Sequence, residues 1–132
     1  MPTPILEFSN VILIFDDVVA LENVSFRVDE GDSMVILGVT GSGKSVLLKL
    51  SMGLLKPDAG EIYLFGEQIS RMPERQLLGF RQRVGMVFQE GALFDSLTVG
   101  ENVAYPLLNQ EGEIPPPDEV EARVREALTF VE

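Results

Sequence analysis

The chain has no cysteine and no histidine among its 132 residues. The first absence excludes disulfides and thiolate metal sites; the second excludes imidazole ligands and histidine-based triads. Long apolar runs are lacking too. The longest unbroken aliphatic or aromatic stretch is Val11-Ile12-Leu13-Ile14-Phe15, far short of a spanning helix. The N-terminus does not show the basic-then-apolar pattern of a signal peptide, so the chain is expected to stay in the cytosol. Positive charge is scarce: ten Lys and Arg stand against 21 Asp and Glu, for a formal net charge of -11. Binding to a phosphate backbone leaves a basic footprint, so nucleic acid is not an expected partner. The charge is also uneven. From Glu90 onward there are ten acidic residues and two arginines, whereas Arg71, Arg75, Arg81 and Arg83 crowd one segment around Glu74. That basic cluster reads first as a solvated helix face and second as a docking surface.

What is present is concentrated in one octapeptide. Gly38-Val39-Thr40-Gly41-Ser42-Gly43-Lys44-Ser45 matches the G-x-x-x-x-G-K-[ST] phosphate-binding loop. A triphosphate must be wrapped by backbone N–H groups, which only a chain free of bulky side chains brings close enough. Gly38, Gly41 and Gly43 supply that freedom. Lys44 is placed to reach the β- and γ-phosphates, and the Ser45 hydroxyl to ligate Mg²⁺ at the start of a helix whose dipole favours anions. The flanks agree: Ser33 to Leu37 reads as a buried strand and Val46 to Met52 as a helix. With 45% hydrophobic residues the chain suffices for one compact unit, although nucleotide-hydrolysing domains are usually longer.

Elsewhere, Ile5 to Phe8 and Val11 to Phe15 read as strand material before a turn at Asp16-Asp17. Val18 to Val28 continues as strand, with Val24, Phe26 and Val28 alternating with polar residues. Gly53 to Gly60 is a stop signal, and Glu61 to Phe65 a further strand. A short helix runs from Met72-Pro73-Glu74 to about Phe80, then a strand over Val84 to Phe88 with Gln89 at its C-terminal end, where ligands sit in α/β sheets. Thr98-Val99-Gly100-Glu101 has capping-box spacing and opens a helix to Leu107 or Leu108. After Pro115-Pro116-Pro117 another helix starts. Its Val120, Val124, Ala127, Leu128 and Val131 share one face, which expects a partner. Val11 to Asp17 also has the form of a strand offering a terminal carboxylate to Mg²⁺, but it precedes the phosphate loop where such a strand follows it, and Asp16-Asp17 reads better as a turn.

Several separate segments carry a family likeness: Leu21-Glu22-Asn23-Val24-Ser25-Phe26, Gly53-Leu54-Leu55-Lys56-Pro57-Asp58-Ala59-Gly60-Glu61-Ile62, and Val87-Phe88-Gln89. With the phosphate loop they make the chain resemble the ATPase subunit of ABC transporters. The resemblance implies an α/β P-loop NTPase fold of ABC ATPase type, a core sheet with an antiparallel β subdomain, truncated at the start of the helical subdomain. It implies ATP and Mg²⁺ as cofactors. It also implies that Phe15, some two dozen positions before the loop, stacks on adenine, a core position being the other reading. Residues 38 to 46 would bind the phosphates, Ser45 and Gln89 would hold the metal, and Lys44 and Gln89 would serve catalysis. A transmembrane permease and a second ATPase subunit, paired head to tail, would be the partners at the cytoplasmic face of the inner membrane.

A narrower likeness covers Phe88 to Val99 and Glu101 to Leu107, with Gly91-Ala92-Leu93-Phe94 at its centre. It is similar to the ATPase of MCE-type phospholipid transporters, the Mla or toluene-tolerance group, and implies phospholipid movement between the membranes of a diderm bacterium. Ala92, Leu93 and Phe94 also read as packing at the join of two subdomains, and both readings can hold at once. Two positions depart from the family. Val46 stands where a Ser or Thr hydroxyl usually approaches the α-phosphate, a loss on the order of 1.5 to 3 kcal/mol if nothing compensates. Val39 replaces a frequent Pro and is expected to be harmless.

The Leu-Ser-Gly-Gly signature, the second acid-terminated strand with its catalytic Glu, and the switch His do not occur in the 132 residues. The expectation is an N-terminal part of a single ABC ATP-binding domain, with residues 1–108 as nucleotide-binding core and glutamine-loop region and 109–132 as linker and start of the helical subdomain. Such a piece is expected to bind ATP without turnover and to expose its last helix's apolar stripe. A soluble ABC protein, and a small complete nucleotide-binding module, are the other functional classes open at this level.

Overall fold

The computed structural model describes residues 3–39, 41, 43–87, 91–110 and 112–132. The chain divides into two compact units, 1–81 and 82–132.

In the first unit two long strands, β1 (Pro4–Phe15) and β2 (Val18–Asp29), form a hairpin. Asp16 and Asp17 connect them at φ 44° and 67°, the positive-φ pair that a two-residue hairpin turn requires. The turn reading of these two acids therefore holds. The segments anticipated as two strands, Ile5 to Phe8 and Val11 to Phe15, are one, interrupted by an irregularity at Asn10. Asn10 has φ 50°; its N–H donates to Ser25 Oγ at 2.8 Å and its amide to Asn23 Oδ1 at 2.8 Å. Opposite it lies Gly60 at φ +88°, where an added Cβ would fall 2.3 Å from the Asn10 carbonyl oxygen. Only glycine lets the two backbones approach so closely.

Helix α1 (Lys44–Ser51) leads to β3 (Ala59–Leu64), a two-residue strand β4 (Glu67–Gln68) and helix α2 (Glu74–Arg81). The sheet order is β2-β1-β3-β4, with every pairing antiparallel. Period-two alternation turns Val11 and Leu13, and Ile62 and Leu64, into the core; the irregularity at Asn10 lets Phe8, three residues before Val11, join them, and Leu50, Ile69 and Leu77 are equally buried. Phe8 and Phe26 stack across the hairpin with ring centroids 4.6 Å apart.

Two expected strands do not form. Residues 33–37 and 84–87 have no strand pairing, and Val35, Leu37 and Val87 are 79%, 88% and 94% exposed. Apolar runs of this kind are strands only when neighbours hydrogen-bond them on either side, and the paired strands among the described residues are all in the antiparallel sheet.

In the second unit α3 (Val99–Leu108) packs on α4 (Pro117–Phe130). The capping box forms as read: Glu101 N–H donates to Thr98 Oγ1 and Thr98 N–H to Glu101 Oε1, both at 3.1 Å. Asn102 organises the preceding segment, accepting from the Phe94 N–H at 2.9 Å and donating to the Thr98 carbonyl at 2.9 Å and the Phe94 carbonyl at 3.2 Å. On α4, Val120 is buried and Val124 and Leu128 are half-buried, whereas Ala127 and Val131 of the anticipated stripe are exposed. Among the described residues no helix is long and apolar enough to cross a membrane.

Candidate nucleotide-binding site

Gly43, the last glycine of the octapeptide, packs on the β1–β2 hairpin. Gly43 sits at φ +96°, and an added Cβ there would meet the Ala20 carbonyl oxygen of β2 at 2.9 Å and Leu21 Cδ2 at 3.1 Å. The close approach and the left-handed backbone both demand glycine, the residue the motif places there. Gly43 is also the N-cap of α1, and no side chain caps the helix and no acid occupies its first turn. The N–H groups that begin a helix carry partial positive charge, and here no carboxylate neutralises it.

Lys44 folds back over the loop that precedes it. Its ammonium donates to the Gly38 carbonyl and, at 2.9 Å, to the Val39 carbonyl. The positive charge thus lies against the Gly38 and Val39 carbonyls, on the first residue of a helix. Ser45 is exposed and Val46 half-buried. Gly41, at φ +84°, faces open space. Leu47 and Leu50, on the opposite face of α1, are buried and anchor the helix, which packs against β3. The expected site residues Thr40, Ser42 and Gln89 lie outside the described residues.

Phe15 ends β1 at the hairpin turn, paired with Val18, and is 43% exposed. It is not a core residue, so that alternative is set aside. Asp16 and Asp17 beside it belong to the turn, and among the described residues no cluster of three metal-binding side chains occurs.

Sequence reasoning missed two contacts at the far end of α1. Arg81 was grouped with a solvated basic face, yet its side chain is only 16% exposed. It donates from Nε to the Met52 carbonyl at 2.9 Å and from its guanidinium to the Gly53 carbonyl at 3.1 Å, and it pairs with Glu74. Arg71 and Arg75 are exposed, as that reading expected. The Arg81 hydrogen bond holds the Glu74 carboxyl below its ordinary value of 4.5; desolvation opposes it, and the charges of Arg81 and Lys56 add to it. Asp58, read only as part of a stop signal, accepts the Ile14 N–H on Oδ2 at 2.7 Å. The spacing Glu74 to Arg81, two helical turns apart, was the one available hint of the first contact; the second had none.

Residues 21–132 match the family described as ABC transporter. The chain is 41% identical over 112 residues to the methionine import ATP-binding protein MetN of Carboxydothermus hydrogenoformans, covering 85% of this chain and 32% of that protein. It is 38% identical over 127 residues to the spermidine/putrescine import ATP-binding protein PotA of Oleidesulfovibrio alaskensis, covering 96% and 32%. The dimeric post-hydrolysis structure of the ATP-binding cassette MJ0796, bound to ADP and Pi, superposes with a TM-score of 0.85 at 31% identity, covering 95% of this chain and 56% of that one. The chain thus spans about a third of the two named relatives. With the antiparallel sheet, Gly43 and Lys44 in place, the chain has the fold of the N-terminal portion of an ABC ATPase cassette and belongs to the ABC transporter family.

Proposed function

We propose that this chain supplies the ATP-binding half-site of an ABC transporter ATPase, with residues 38 to 46 around the phosphates and Phe15 against the adenine. The observation that carries the reading is Lys44 lying across the Gly38-Val39 carbonyls at the uncapped, acid-free start of α1. A glycine at position 43 seated tightly on β2, a helix N-terminus and an ammonium beside it suit a triphosphate in shape and sign. The exposed Ser45 hydroxyl suits Mg²⁺, with Gln89 as the family's second ligand. A metal ion held there would supply charge neutralisation to the phosphates. The chain's own part is to hold the phosphates with loop N–H groups, to place the Lys44 ammonium against charge on the transferred phosphoryl group, and to orient the base with Phe15. The 132 residues contain no Leu-Ser-Gly-Gly sequence and no His, so binding without turnover is the expected behaviour of this chain.

The proposed partners are a membrane permease and a second ATPase subunit in head-to-tail contact, at the cytoplasmic face of the inner membrane; the dimeric cassette MJ0796 supports the second. Nucleic acid is not proposed, given the net charge of -11. Two cargo readings have separate support. Gly91-Ala92-Leu93-Phe94 and the helix after it favour phospholipid, whereas the named relatives favour import of methionine or a polyamine. Capturing the permease from membranes with the tagged protein, then measuring whether that permease and its associated subunits bind phospholipid, methionine or spermidine, separates them. The nucleotide reading is tested by calorimetric titration of Mg-ATP into the chain and its Lys44→Ala variant.

A further inference from the structure

The β1·β3 ladder ends at Ile12↔Ala59, while β1 runs on to Phe15. The last ladder bond on that side is the Asp58 N–H to the Ile12 carbonyl, 2.8 Å. Beyond it, Ile14 has no β3 residue opposite. Its N–H is taken instead by the Asp58 carboxylate, at 2.7 Å, so one side chain continues the ladder by a step where the backbone of β3 does not reach. A hydrogen bond to an ionised acceptor is short and stronger than its neutral counterpart. The residue after Ile14 is Phe15, held on its other side by the positive-φ turn at Asp16-Asp17. Asp58 also lies on the connection that leaves α1, a connection turned back onto the helix by the Leu54 N–H bond to the Lys49 carbonyl at 2.9 Å. The same carboxylate therefore joins the strand end that presents Phe15 to the segment following the phosphate-binding helix.

We infer that Asp58 is a positioning residue for the base platform: through Ile14 it fixes the direction in which Phe15 is offered, and so governs recognition of the nucleoside and not of the phosphates. The inference rests on the base-stacking reading of Phe15. Neither phosphate nor metal is contacted by Asp58 in this account; its effect passes through one backbone N–H.

The test compares binding of Mg-ATP and of inorganic tripolyphosphate with Mg²⁺, by titration calorimetry, in the chain and its variants. Phe15→Ala is expected to weaken ATP about tenfold, the scale of one lost aromatic stack, and to leave tripolyphosphate within about twofold. Asp58→Ala is expected to do the same, and Asp58→Asn, which keeps an oxygen acceptor, to restore most of the difference. Should the alanine chain not fold, Asp58→Ser repeats the reading, since its hydroxyl is one bond too short to reach Ile14. If Phe15→Ala leaves the preference for ATP unchanged, the base-stacking reading itself fails and the inference with it. If Phe15→Ala removes the preference and the Asp58 variants do not, or if they weaken both ligands equally, the positioning role alone is overturned.

Discussion

Arg81 donates from Nε to the carbonyl of Met52 at 2.9 Å, so the last residue of α2 caps the C-terminal end of the helix that begins at Lys44. A second bond, at 3.1 Å, goes to the carbonyl of Gly53, the residue that follows the C-cap. A cation at a helix C-terminus is favourable to the macrodipole as well.

Arg81→Ala is accordingly expected to destabilise the first unit by about 2 kcal/mol, the range for hydrogen bonds to a charged group that is mostly shielded from water. Arg81→Lys should recover part of this. Urea denaturation followed by circular dichroism measures both, and a loss within error of zero would remove Arg81 from the account.

The Glu74 partner adds a pH dependence. Its carboxyl is held below the ordinary 4.5 by the Arg81 hydrogen bond, so the pair's contribution is fully present above about pH 5 and is lost as pH falls through the folded value. Comparing Glu74→Gln with the parent chain across pH 3 to 7, the difference in denaturation midpoint should be constant near neutrality and should shrink below about pH 4.5. Because Glu74 is solvent-exposed, the difference is small throughout.

Gly43→Ala brings a methyl group within 2.9 Å of the Ala20 carbonyl oxygen and forces a β-carbon onto φ +96°. The loop must move off the hairpin to accept it. We expect Mg-ATP affinity to fall about tenfold or more, with a drop in stability on the order of 1 to 2 kcal/mol. Parallel calorimetry and thermal melting check the two effects; unchanged affinity would show that the loop position is not what organises binding.

Val46→Thr restores the hydroxyl that the family usually carries two residues after Lys44. The half-buried position accepts an isosteric side chain, so affinity for Mg-ATP should tighten about tenfold, the equivalent of one hydrogen bond to a charged oxygen. Titration of ADP and ATP with the variant reads this directly, and no change would mean that the backbone already satisfies the α-phosphate.

The parts of the structure legible in the sequence are those decided by residues close along the chain. Thr98 and Glu101 close a capping box because both partners belong to one helical turn. Asp16-Asp17 turns because two short acids between alternating strands tolerate positive φ. The glycine at position 43 is legible for the same reason, the octapeptide pattern placing it where the backbone takes φ +96°. The strands expected over 33–37 and 84–88 were not decidable this way, since strand formation depends on neighbours that no local pattern specifies. Arg81 and Asp58 were missed because their partners, Met52, Gly53 and Ile14, lie 28 to 44 positions away and are backbone groups that every residue possesses. β1 was divided in two because Asn10 reads as a break, whereas Gly60 opposite allows the ladder to pass over it.

The central claim is that residues 38 to 46 form a triphosphate site with Lys44 as its fixed charge. Titration of Mg-ATP into the 132-residue chain and into Lys44→Ala, with thermal melting to show that both are folded, tests it most directly. Saturable binding by the chain and a loss of about tenfold or more in the variant are expected, the effect of removing a charge-assisted contact to phosphate. Equal affinity in the two folded proteins, or no binding by the parent chain, would contradict it.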